Sequence, residues 1–284
     1  MPERVDWAEV RERAASAVPE LMLEDALRQE KRVVAAGLVF LTALAWLYLF
    51  HLHRAMAMPM AGMPDMAGMM MPMSHDWTPT DLLLTFLMWA VMMVGMMVPA
   101  AAPMILTFAA INRRRVQWGR PYVPTAIFLT GYLLTWTAFS AAAAVAQWKL
   151  QEAALLDAHT QRAVPAVAGG LLILAGLFQL TPWKNACLTR CRSPLDFLTT
   201  AWREGRRGAL WMGLQHGFYC VGCCWMLMAL LFVVGVMNLV WVAAIAAFVL
   251  AEKLLPHGRL IRGLGSLLCL GAGLAWVGRI FYSG

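Results

Sequence analysis

Charge is what this sequence has least of. Asp, Glu, Lys and Arg make up 14% of its 284 residues, against about 25% in an ordinary soluble domain. That shortage excludes a chain whose side chains mostly face water. No polar segment interleaves basic residues with aromatics, so the formal net charge of +7 does not indicate nucleic-acid binding. No phosphate-cradling Gly-rich loop and no phosphorylatable Asp loop is present, which excludes ATP-driven pumping by this chain. Histidine is sparse, at six residues, and no His-rich oxygen-activating site is visible. The six Cys are not spread as a secreted disulfide framework. Five lie between Cys187 and Cys224, and the sixth is Cys269.

Long apolar runs take the place of the missing charge. They cover 33–52, 82–111, 124–148, 163–183, 209–236, 238–255 and 261–282, each near the length that crosses a bilayer as a helix. Only helices satisfy their own backbone in lipid as open chains. The expected fold is therefore an all-α membrane protein, a polytopic bundle of about seven transmembrane helices. A tight turn is expected at Gly235 to Asn238. With the N-terminus inside, nineteen of the 23 Lys and Arg fall on the cytosolic side, which puts the C-terminus outside by the positive-inside rule. The expected organisation is a cytosolic amphipathic arm over 1–32, broken by Pro19, a first transmembrane helix over 33–52, an external loop over 53–80 and a six-helix core over 81–284. Ala55-Met56-Ala57 also resembles a leader-cleavage site, the alternative to an uncleaved first helix. The setting is a bacterial cytoplasmic (inner) membrane, with the lipid bilayer as first partner.

Methionine is abundant, with 21 residues. The external loop holds Met56, Met58, Met60, Met63, Met66, Met69, Met70, Met71 and Met73, flanked by His51, His53 and His75. Recurrent Gly and Pro argue against regular structure there. A thioether is a soft, neutral ligand that suits Cu(I). It cannot form a disulfide, so it serves where a thiol would be oxidised. The tract reads as an external trap for Cu(I) or another soft metal ion. A low-complexity linker and a sacrificial oxidant sink are the alternatives.

Within the apolar runs, Met88, Met92 and Met96 form one helical stripe, and Met93, Met97 and Met104 another. Plain apolar filling is the alternative for each. Met212, His216, Cys220, Cys223 and Cys224 fall within about 120° of one helix face. Soft thiols beside an imidazole at this spacing are helix-borne metal ligands. The alternative is small buried cysteines beside a hydrogen-bonded His. Cys187 and Cys191 stand one turn apart between Lys184 and Arg192, where cations favour the thiolate. They read as an inner exit site, or as two unrelated cysteines. Gln179, Gln215 and Glu252 are further polar residues in or near the membrane. Glu252 and Lys253 read mainly as an interfacial anchor, with a role supporting the metal ligands as the alternative.

Three stretches carry a resemblance: Trp89 to Met104, Gln179 to Pro194, and Gly217 to Asn238 with its Gly-Cys-Cys-Trp-Met-Leu-Met core. Here the chain resembles the bacterial family of predicted metal-binding integral membrane proteins, from the second apolar run to the end. The resemblance implies metal binding through these Cys and Met positions and implies no defined activity. The function expected is a membrane protein that captures copper and holds or transfers it, exchanging it with a periplasmic or cytosolic carrier. A copper-dependent membrane oxidoreductase and an assembly partner of another membrane complex are the alternatives. No catalytic residue stands out, and the reading leans away from an enzyme.

Overall fold

Apolar runs without internal turn signals become long helices, and the computed structural model is all-helical over the residues it describes: 7–57, 77–117, 119–157 and 161–283. The elements are α1 (Trp7–Ala57), α2 (Pro79–Gln117), α3 (Thr125–Glu152), α4 (Pro165–Leu180), α5 (Pro182–Arg192), α6 (Pro194–Ala201), α7 (Gly205–Ala229), α8 (Leu231–Val234), α9 (Leu239–Leu254) and α10 (Gly258–Ser283). The arm and the first apolar run form one continuous helix, α1, so Pro19 does not break it as expected. Five stretches are long and apolar enough to cross a membrane: Lys31–Ala55, Pro79–Val116, Thr125–Glu152, Gly205–Val234 and Gly258–Arg279. A sixth is formed if α4 and α5, bent by 65°, are one broken span. The run over 238–255 becomes α9, whose 16 residues are short for a crossing of about 20.

The bend between α4 and α5 follows from Thr181-Pro182. Proline has no N–H to continue the helical ladder and fixes its own φ. Thr181 then caps the new helix: its hydroxyl accepts from the Lys184 N–H at 3.2 Å and donates to the Phe178 carbonyl at 2.8 Å. The result is a short helix, α5, turned back against α7 and carrying Cys187 and Cys191. The turn expected at Gly235 to Asn238 is present. Gly235 takes φ +95°, a value that favours glycine, and its carbonyl accepts from Asn238 at 3.0 Å.

Helix α2 continues through both of its prolines. Pro99 cannot donate to the carbonyl of Gly95, one turn back. The indole of Trp46 on α1 donates to that carbonyl instead, at 3.2 Å. A backbone acceptor freed inside an apolar bundle must find such a partner. The same contact fixes α1 against α2.

Glycines set the closest helix approaches, as expected where no apolar solvent difference drives association. A Cβ at Gly131 of α3 would overlap the Leu210 carbonyl of α7. One at Gly213 would overlap the Phe128 carbonyl, and one at Gly217 would stand 2.6 Å from the Thr135 hydroxyl. Helices α4 and α10 approach similarly at Gly169, Gly176 and Gly273.

Candidate metal centre

The centre is assembled on α7, where Cys220, Cys223 and Cys224 are all buried. The i, i+3, i+4 spacing turns these thiols to one side of the helix. Both later thiols also donate back to the Cys220 carbonyl, Cys223 at 3.1 Å and Cys224 at 2.8 Å. These bonds draw the sulfurs toward the preceding turn.

Two other helices bring sulfur to this face. Cys191 of α5 places its sulfur 4.0 Å from that of Cys223. Met97 of α2 places its thioether sulfur 3.9 Å from Cys224. Metal–thiolate bonds of about 2.3 Å put two sulfurs that share one ion about 3.8 to 4.6 Å apart, from tetrahedral to linear geometry. Both pairs fall in that range. Soft thiol and thioether donors, without carboxylate oxygens between them, fit Cu(I). Cys191 also reaches Cys220, and Cys224 reaches both Cys220 and Cys223, so the four thiols form one cluster. Among the described residues, no group of three His, Cys, Asp or Glu already has the arrangement of a bound metal site.

Cys220 has a different environment. The Lys253 ammonium of α9 lies 2.9 Å from its sulfur, and the Tyr132 hydroxyl of α3 lies 3.2 Å away. That hydroxyl also donates to the Met97 carbonyl at 3.0 Å, tying α3 to α2 at the same level. The close glycine packing of α3 on α7 gives Tyr132 its reach. Lys253 and Glu252 are therefore not an interfacial anchor, because both are buried. Glu252 accepts from Lys184 through both oxygens, at 2.8 and 3.0 Å, and Lys184 also donates to Gln179. Lys184 is wholly buried and serves that pair. The expectation that its charge favours the Cys187 and Cys191 thiolates is corrected, because that charge is committed to Glu252. Paired burial is the arrangement that a charge inside an apolar bundle requires.

His216 is buried, and its ring packs among Tyr132, Phe197 and Phe128 at centroid distances of 5.6, 5.7 and 6.2 Å. Its Nδ1 has no hydrogen-bond partner among the described residues. Cys220 and Cys223 are near enough to act on it electrostatically. Cys187 is buried against Gly222 of α7, its sulfur 3.0 Å from where a Cβ would stand. Met88, Met92, Met93, Met96 and Met104 are all buried in the α2 core, and Met97 is the member of the two stripes seen against a thiol. His51 and His53 are exposed near the end of α1, which also contains Met56. Met58, Met60, Met63, Met66, Met69, Met70, Met71, Met73 and His75 lie outside the described residues.

Lys253 was read as supporting the site only as an alternative, and Tyr132 was not selected at all. An ionisable residue in an apolar helix was the available signal for the first. Nothing local marks Tyr132.

An all-helical bundle with buried thiols and a thioether in contact defines a class of protein that handles a soft metal. The chain belongs to the copper chaperone family PpoB2, whose family model matches residues 86–276. That match runs from within α2 to within α10 and includes Met97 and all six cysteines. No curated protein and no solved structure matches the chain.

Proposed function

We propose that this chain is a multi-pass inner-membrane protein that takes Cu(I) into its helical bundle and passes it on. Copper is the cargo, held by Cys191, Cys220, Cys223, Cys224 and Met97. The observation that carries the reading is the pairing of buried sulfurs from α2, α5 and α7 at 3.9 and 4.0 Å. Soft donors at that separation exclude Mg(II), and the thioether of Met97 together with the copper chaperone family favours Cu(I) over Zn(II). In this reading α9 is the short sixth of seven crossings, the N-terminus faces the cytosol and the C-terminus faces outward. The Met-rich loop collects copper outside, and Cys187 and Cys191 on the turned-back helix α5 exchange it with a cytosolic carrier.

The test is copper per protein after purification of the Cys223→Ser/Cys224→Ser variant, with monodispersity measured alongside. A hydroxyl is a hard, weak ligand for Cu(I), while the side-chain volume is nearly kept. Serine is also tolerated in membrane helices. The expected result is loss of bound copper from a well-folded protein. Full copper retention would move the cargo site away from α7.

A further inference from the structure

Glu252 and Lys253 are neighbours on α9, and consecutive side chains on a helix point about 100° apart. They consequently serve different partners. Glu252 is matched by Lys184, whose ammonium contacts both carboxylate oxygens. That leaves Lys253 facing sulfur. Its ammonium contacts Cys220, and Cys191, Cys223 and Cys224 act on it electrostatically from α5 and α7. From α3, Tyr132 reaches the same cysteine. Met97 completes the surroundings from α2 with a neutral thioether, which adds no charge.

We propose that Lys253 selects the charge of the ion accepted by the sulfur cluster, favouring a monovalent soft ion over a divalent one. The proposal rests on the copper reading above. Charge balance inside an apolar bundle is the cause, because uncompensated charge there is strongly disfavoured. Repulsion by the ammonium scales with the ion's charge, so a divalent ion beside it is repelled twice as strongly as a monovalent one. The four thiols and the thioether face both ions alike, so the number of thiols ionised sets the overall attraction and not the sign of this difference. Without the ammonium the extra repulsion of the divalent ion is gone.

Ag(I) and Cd(II) test this directly. Both are soft, filled-shell ions that do not change oxidation state under the assay, and they differ by one unit of charge. Their equilibrium affinities are measured by competition on the purified full chain in detergent. Lys253→Met is expected to lower the Ag(I)-to-Cd(II) affinity ratio by about tenfold or more, with Cd(II) itself bound more tightly. Lys253→Arg keeps the charge and is expected to hold the ratio within about threefold. Packing damage weakens both ions together and cannot create a gain for Cd(II). An unchanged ratio, or a parallel loss of both ions, overturns the proposal. Lys253→Gln removes the charge with a polar replacement and carries the same test if the Met variant does not fold. Cys223→Ser/Cys224→Ser runs beside it. Copper loss there with no ratio change in Lys253→Met sinks the charge inference alone. Copper retention there overturns the site and the inference together.

Discussion

Helices α3 and α7 meet through Gly131, Gly213 and Gly217, and α4 and α10 meet through Gly169, Gly176 and Gly273. The packing device is the same in both, and the neighbours are not. At the first pair, the space a Cβ would need is held by backbone carbonyls of Leu210 and Phe128. At the second, it is held largely by side chains of Val277, Leu270 and Ile173. The first pair also carries Tyr132, His216 and Cys220. The second carries mostly aliphatic residues, with Gln179 accepting from Lys184, a half-buried Cys269, and Ser266, which donates to the Gly176 carbonyl at 2.8 Å. Close approach is thus a general means of joining apolar helices. It becomes a candidate metal site only where several sulfurs from different helices gather beside the glycines.

The largest effect is expected at Gly213→Ala. The new methyl would overlap the Phe128 carbonyl, and a backbone atom cannot rotate away as a side chain can. Destabilisation of about 3 kcal/mol or more follows from forced overpacking. Separation of α3 from α7 also withdraws Tyr132 from Cys220, so bound copper should fall. Thermal unfolding in detergent and copper per protein measure the two effects. Unaltered stability would mean that the two backbones are not in contact.

A smaller effect is expected at Gly176→Ala. Its methyl would stand 2.7 Å from the Leu270 Cγ, a side-chain atom, and 3.0 Å from the Leu270 backbone N, a far milder backbone approach than at Gly213. Leu270 can change rotamer, which limits the cost to about 1–2 kcal/mol. Copper content should stay at the wild-type level, because none of the sulfurs assigned to the copper site lies on α4 or α10. The same two measurements apply, and a drop in copper would tie the two helix pairs together and end the contrast.

The sequence made local features legible. The apolar runs marked the helices, the 100° periodicity put three thiols on one face of α7, and Gly235 marked its turn. Cys187 and Cys191 were correctly read as one turn apart. What lay beyond reach was every contact between distant segments. Cys191 meets Cys223 only because Pro182 turns α5 back against α7. His216 was grouped with the thiols by spacing alone, and nothing in the sequence showed that rings from α3 and α6 enclose it as well. The two methionine stripes of α2 are equally buried, so periodicity could not separate Met97 from its neighbours. Lys253 looked like an interfacial anchor because it sits at a helix end, and its burial against Cys220 of α7 reversed that reading.

The smallest effect is expected at Cys269→Ala on α10, and it sharpens the comparison between the two pairs. Cys269 and Cys220 are both cysteines on glycine-packed helices. Cys220 is fully buried, with an ammonium at 2.9 Å and a phenol at 3.2 Å. Cys269 is half-buried, and among the described residues it makes no sulfur contact. Replacing it by alanine removes one sulfur from a partly exposed position, a loss of about 1 kcal/mol or less in burial. Copper content should not change. If it fell in step with that of Cys223→Ser/Cys224→Ser, copper would be binding to thiols wherever they occur. The arrangement around Cys220 would then have no special claim on the ion. Retention in Cys269→Ala beside loss in the double variant would instead tie copper to contact between sulfurs of different helices, which α7 has and α10 lacks.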